Sequence, residues 1–433
     1  MKYMRKQALL FLLTIFSITA NIHAYSTGRP AQVLDEVWNE VSKRHFNKNF
    51  KKDYQELYKK FKPEILKSGN DTETAFRINK LLHALGQSHI VLMPPADSSF
   101  SKAIASIKKN TAPIPDSKIV TKKPALPDLP ADIGITVSQI KNYICVIRVK
   151  KDSPAEKAGI KMGDIILSIN NINLAPGRKD IIGWPLVARA LLSGRPGTEV
   201  ELITLNSKNI KQKIILKRRI NGEKWFKMGL LPRSYSDFYA TILAGNVGYV
   251  QFTAFTTPML QRFRKIMTGK LKNTKALIID MRGNIGGILM FPPWLAAWCY
   301  PRVVAFGEIT INGTVLKPKS TPQPECFKGP VAVLTDNYSY SCAEMFAAGM
   351  QDAKAAVLFG TTTSGDCLPS IFLKLPSGFR LQTITGNITR PNGGKIEGIG
   401  VKPDKEVVLS IKALREGKDN VIEAARFYLL NKK

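Results

Sequence analysis

An α/β multidomain fold is what this chain predicts, from its length and from two kinds of apolar periodicity. It has 433 residues, 44% of them hydrophobic, more chain than one small domain needs and enough apolar mass for several cores. Between Arg29 and Leu92 apolar residues recur three and four apart, as helices buried on one side require. From residue 221 onward, short apolar runs suited to buried strands alternate with helical stretches, the pattern of an α/β core.

The elements follow in chain order. Residues 1–24 place Lys2, Arg5 and Lys6 ahead of an apolar stretch from Ala8 to Ile18 and end in Ile22-His23-Ala24, so we read a signal peptide and an exported protein, periplasmic or secreted. Residues 25–93 form an N-terminal helical region, with Val33, Val37 and Val41 on one face and Ile78, Leu81, Leu82 and Leu85 on another. Gly86 stops the last helix, and Ser88-His89 precedes a β-like run ending at Met93. Residues 94–130 are rich in Pro, Ser and Lys without periodicity and are expected to be a linker. A β-rich domain follows at 131–220. The rest, 221–433, carries strand-like runs at 247–252 and 276–280 around a helical stretch at 258–267.

The formal charge is +31, spread in runs such as Lys108-Lys109, Lys122-Lys123 and Lys217-Arg218-Arg219. Such a surface is attracted to an anionic envelope or to acidic partners. Aromatic residues are not interleaved with these runs, so nucleic acid is not an expected partner. The five cysteines, Cys145, Cys299, Cys326, Cys342 and Cys367, fit no zinc spacing, and neither a metal nor another cofactor is expected. An oxidising compartment would permit disulfides, and Cys299 with Cys326 is the pair we would test first.

Two segments carry the chemistry. The run Ala276-Leu-Ile-Ile-Asp-Met-Arg-Gly-Asn-Ile-Gly-Gly287 reads as a buried strand ending in a glycine loop, where backbone N–H groups can approach a reacting carbonyl with no Cβ in the way. Downstream, an apolar run from Val331 to Leu334 enters a polar turn, and Ser341 opens a small-residue helix from Cys342 to Asp352 whose dipole favours developing negative charge. The pair reads as an oxyanion hole and a serine nucleophile. Cys342 reads as a packed small residue, Glu344 as a charge at the helix start, and Asp280 with Arg282 as a brace for the glycine loop.

Within 131–220, the segment Ser153-Pro-Ala-Glu-Lys-Ala-Gly-Ile-Lys-Met-Gly-Asp-Ile-Ile-Leu-Ser-Ile-Asn170 resembles the PDZ domain family. The resemblance implies that Gly134, Ile135, Thr136 and Val137 form the loop and strand on which a peptide adds by β-augmentation. The loop itself departs from the family's glycine-leucine-glycine-phenylalanine form. The two chemical segments, together with Glu397-Gly-Ile-Gly-Val-Lys-Pro-Asp404, resemble the superfamily of tail-specific, C-terminal-processing proteases and tricorn-like peptidases, which implies a ClpP/crotonase-like core. On that resemblance Ser341 is the nucleophile, and the amides of Gly287 and Cys342 form the oxyanion hole. Tail-processing members carry a lysine about twenty-five residues beyond the serine, where this chain has Asp366. The tricorn-like branch instead implies Ser88, His89 and Glu397: His89 as the base, Ser88 and Glu397 orienting it. An exported serine endopeptidase acting on proteins or peptides is therefore expected. The other reading, raised by the missing lysine, is a non-catalytic peptide- or ligand-binding protein on a degenerate protease core.

Overall fold

A computed structural model describes residues 28–95, 129–174, 184–223, 225–226 and 235–431. The expected signal peptide and most of the expected linker lie outside the described residues.

The C-terminal half is built on a six-stranded sheet in the order Phe238–Leu243, Val247–Phe252, Ala276–Asp280, Val331–Thr335, Val357–Gly360 and Lys405–Glu406. The first pair is antiparallel and every later pair parallel. Parallel neighbours need crossovers that cover the faces, so the central strands must be apolar on both sides. Ala276–Asp280 and Val331–Thr335 are buried at every residue. Strand alternation then divides them: Leu277 and Ile279 pack toward Phe263 and Phe346 of the helices Thr257–Thr268 and Cys342–Asp352. Ala276 and Ile278 face Val421, Ala425 and Leu429 of the helix Asn420–Asn431. Both chemical segments leave this sheet at the carboxyl ends of adjacent strands, where open α/β sheets place their ligands.

The N-terminal helices Arg29–Arg44, Phe50–Asp53, Gln55–Leu66 and Asp71–Ala84 do not close a core of their own. Their Val33, Val37, Ile78 and Leu82 share one cluster with Leu368, Phe379, Leu381 and Ile384 from far downstream. The strand Val91–Met93 joins the edge of a second sheet, pairing Leu92 with Leu381. Asn79, fully buried, locks that connection: its amide donates to Leu92 O at 2.8 Å and its carbonyl accepts from Leu92 N at 2.7 Å. Ser88 and His89 thereby reach the C-terminal half.

Residues 131–220 form a five-strand path, Ile135–Ile140, Tyr143–Val149, Ile165–Ile169, Glu199–Leu205 and Lys211–Lys217, flanked by the helix Trp184–Leu192. Ile135–Ile140 is an edge strand. The helix Ile411–Arg415 seats this module on the rest: Leu414 packs with Ile140, Cys145, Ile147 and Ile165, and Arg415 donates to Gly163 O at 3.3 Å and Asn206 O at 3.2 Å. On the other side Tyr338 OH donates to Gln139 Oε1 at 2.6 Å.

Cys299 and Cys326, the pair expected to be the first disulfide candidate, are both buried free thiols, as are the other three cysteines. A backbone hydrogen bond from Phe327 N to Trp298 O at 2.9 Å brings their neighbours together without joining the sulfurs.

Candidate active site

Ser341 sits at the sharp turn between strand Val331–Thr335 and the helix Cys342–Asp352, with φ 54° and ψ −118°. That region is costly for any residue with a Cβ and is held only where its surroundings over-determine it. Here the surroundings are explicit. The Ser341 N–H is shared between Asp366 O at 2.9 Å and Glu344 Oε2 at 3.1 Å, and its carbonyl accepts from Glu344 N and Met345 N. The turn before it is tied to the glycine loop by Tyr340 N to Asn284 O at 2.8 Å, Ser339 Oγ to Met281 O at 2.8 Å and Gly283 N to Asp336 Oδ1 at 3.0 Å.

The glycine loop presses its backbone against Ser341. A Cβ at Gly286 would lie 2.5 Å from Ser341 Cβ and 3.0 Å from both Ser341 Oγ and Cys342 N. Gly286 also has φ +82°, so glycine is required twice over. At Gly287 a Cβ would meet Phe255 O at 2.2 Å. Among the described residues, neither the Gly287 N–H nor the Cys342 N–H is spent on a backbone carbonyl. Asp280 and Arg282 brace the loop as expected: Arg282 Nη2 bonds Asp280 Oδ2 at 2.6 Å and Asp419 Oδ2 at 2.9 Å, and Tyr249 OH donates to Asp280 Oδ2 at 2.6 Å.

Cys342 is a packed, protonated thiol. It is buried, its Sγ donates to Gly287 O at 3.4 Å, and burial pushes the thiol up to about 12. Only the thiolate attacks, and this thiol holds its proton.

Ser88, His89 and Glu397 come together across 309 residues of sequence. Glu397 Oε1 accepts from Ser88 N at 2.9 Å, and Oε2 accepts from Ser88 Oγ at 3.0 Å and from Cys367 N at 2.9 Å. Since the Ser88 hydroxyl hydrogen points to the carboxylate, its oxygen accepts from His89 Nδ1 at 2.7 Å. The imidazole proton is thus held on Nδ1, leaving Nε2 as the basic nitrogen. His89 has φ 58° and is half-buried, and desolvation lowers its pKa to about 4, so the ring is neutral near pH 7. No hydrogen bond joins His89 to Ser341 among the described residues. The two halves are linked through one segment: Cys367 N holds Glu397, Cys367 Sγ donates to Ser341 O at 3.4 Å, and Asp366 O accepts from Ser341 N.

Glu344 does more than its expected duty at the helix start. It is completely buried, and its carboxylate gathers Thr363 Oγ1 at 2.6 Å, Gly365 N at 2.6 Å and Asp366 N at 2.9 Å, besides Ser341 N. Burial pushes its carboxyl up to about 8. Against that, all four partners are donors, the Thr363 hydroxyl being oriented by Val401 N at 2.7 Å, and a carboxylate with such partners favours its charged form. Composition hinted only at a carboxylate near Ser341; its grip on residues 363–366 is a tertiary contact that no local pattern encodes.

Of the remaining expected residues, Ile135, Thr136 and Val137 line a groove with Pro185, Arg189 and Leu192, whose far wall is Arg282, Gly283 and Asp336 of the loops beside Ser341. Gly134 lies at the start of that strand. Asp366 places its backbone carbonyl, not a base, against Ser341 N.

Residues 246–407 match Peptidase family S41, and residues 131–213 match the PDZ domain. The core is an S41 peptidase domain. Over 292 residues the chain is 26% identical to a carboxy-terminal-processing protease of Bartonella bacilliformis, a match spanning 63% of this chain and 60% of that protein. Over 280 residues it is 25% identical to the carboxy-terminal processing protease CtpA of Bacillus subtilis, spanning 64% and 56%. Over 311 residues it is 26% identical to the tail-specific protease of Haemophilus influenzae, spanning 66% and 42%. The matches thus span 42–60% of these three relatives' length. In fold, the chain resembles the photosystem II D1 C-terminal processing protease (TM-score 0.52, 18% identity, 89% of this chain and 97% of that one). It also resembles mature CPAF (0.57, 15%, 94% and 98%) and the tricorn protease (0.53, 16%, 93% and 37%).

Proposed function

We propose that the protein is an exported serine endopeptidase that hydrolyses peptide bonds of proteins or peptides, with substrate engaged along the edge strand Ile135–Ile140 of its PDZ domain. The observation that carries this reading is the strained Ser341 turn closed against Gly286, with the Gly287 and Cys342 N–H groups beside it. His89 Nε2 takes the Ser341 Oγ proton as Oγ bonds the substrate carbonyl carbon, and the oxygen, now negative, is met by the two N–H groups. The carbon–nitrogen bond then breaks, and the departing amine leaves with the proton from His89. Water repeats the sequence to free the acyl group and restore Ser341. Ser88 and Glu397 hold the imidazole and stabilise its charged state. Ile285, Ile288, Met290 and Ile399 stay exposed on the loops that carry the site, a surface suited to apolar, extended chain.

No helix among the described residues is long and apolar enough to cross a membrane. Export rests on the leader-like N-terminus, and the +31 charge supports residence against an anionic envelope. A fluorophosphonate probe tests the chemistry. Labelling is expected on Ser341, and is lost in Ser341→Ala and strongly slowed in His89→Ala; labelling unaffected by both replacements overturns the assignment.

A further inference from the structure

The peptide groove of the PDZ domain is closed at one end by the turn Asp132-Ile133-Gly134. The edge strand Ile135–Ile140 pairs on one side only, with Tyr143–Val149, which leaves its other edge open to an added strand. A chain end added there would need unspent N–H groups in the turn, and a neutral or cationic setting, to receive its terminal carboxylate.

That setting is already filled from within. Asp132 Oδ1 accepts the Gly134 N–H at 2.8 Å, and Oδ2 accepts from Asn221 Nδ2 at 2.8 Å and from Tyr235 OH at 3.3 Å. Asp132 lines the groove together with Asp237. Both guanidiniums on its walls are committed elsewhere. Arg189 is held by Thr253 Oγ1 at 2.6 Å, Tyr235 O at 3.1 Å and Asp237 Oδ2 at 3.6 Å, and Arg282 by Asp280 and Asp419. Burial pushes the Asp132 carboxyl above the usual carboxylate range, while the Asn221 and Gly134 donors and Lys150, whose Nζ donates to Asn221 O at 3.1 Å, favour its charged form. A second carboxylate arriving at this turn would meet a like charge and find the Gly134 donor taken.

We propose that Asp132 acts as a specificity-determining residue that excludes free C-termini, so that the groove takes an internal, extended stretch of substrate. The proposal rests on the groove being the substrate-binding one. It sets this chain apart from relatives named for carboxy-terminal processing.

The test uses the full chain carrying Ser341→Ala and one fluorescein-labelled apolar decapeptide in two forms, C-terminal acid and C-terminal amide, read by anisotropy. The two forms are expected to bind within about threefold of each other, and Asp132→Asn in the same background is expected to shift the acid-to-amide ratio toward the acid by more than about threefold. An acid form that binds the Asp132 chain better by more than about threefold overturns the proposal, as does an Asp132→Asn ratio that moves less than that. Binding of neither form overturns it too. The comparison on the Asp132 chain needs no second variant, so a misfolded Asp132→Asn protein cannot rescue the idea. Fluorophosphonate labelling of Ser341 is read on the unsubstituted chain, so the peptidase reading stands or falls separately.

Discussion

The proposed nucleophile half of the site and the proposed base half are assembled by different means. Ser341, Gly286, Gly287 and Cys342 lie on two loops leaving adjacent parallel strands, and most of the bonds that hold them are backbone ones. Ser88 and His89 come from the N-terminal region and are held to the core's chemistry by one side chain, Glu397. The first half is a property of the fold; the second is brought close by the strand Val91–Met93 but tied to the site by a single carboxylate. Glu397→Ala should therefore have the largest effect we predict. It strips the acceptor from Ser88 N, Ser88 Oγ and Cys367 N, and should lower kcat/KM by about 10³–10⁴ with the thermal transition still cooperative. A loss below about tenfold would erase the contrast, because the imidazole would then be oriented without its carboxylate.

Gly286→Ala probes the other half. The added methyl falls between Ser341 Oγ and Cys342 N, and kcat should drop by about 10²–10³, the usual effect of losing one oxyanion donor. Peptide anisotropy on the groove should be unchanged, since Gly286 does not line it. A loss in KM alone would show that the loop grips substrate and does not stabilise the oxyanion.

The same contrast explains what was legible in the sequence. The strands Ala276–Asp280 and Val331–Thr335 and the helix after Ser341 could be read because local apolar runs and a small-residue helix start carry them. Gly286 and Gly287 were legible as a loop for the same reason. The Ser88, His89 and Glu397 unit was reached only through family resemblance, since no periodicity links residues 309 apart. Three features were not legible at all: the buried Asn79 tie to Leu92, the grip of Glu344 on residues 363–366, and the tie of the Asp132 carboxylate to Asn221 and Tyr235. Each is a polar side chain that bonds polar groups brought to it by tertiary packing, and which groups arrive is a property of the folded chain.

A smaller effect should appear in pH dependence. The acid limb of kcat/KM reports the free enzyme's base. Burial lowers His89 to about 4, so activity should persist well below the 6.5 of a free imidazole, and the limb should lie between those values. Stability moves the same way. The unfolded chain takes up a proton near pH 6.5 that the folded chain refuses until about pH 4, so this residue's contribution is present above 6.5 and declines as pH falls through that window. His89→Gln should abolish that part of the stability slope. A limb at or above 6.5 would mean that the base is solvated, or that another group serves.

The smallest predicted change is none: Asp366→Lys should give no gain in activity. The substitution restores the residue type that tail-processing relatives carry about twenty-five positions after the serine, so a lysine-run site would respond. In this structure the position offers its carbonyl to Ser341 N, while its N–H is fixed by Glu344 Oε2. A lysine there would arrive beside the carboxylate of Glu344, which favours its ammonium form. A base must be neutral to accept the Ser341 proton, and an ammonium held by a carboxylate is the wrong state for that role. Steady-state rates at pH 7 and 9 would expose the alternative: a rise of about tenfold or more, growing toward pH 9, would show that the nucleophile half can recruit a local base and does not need the distant one.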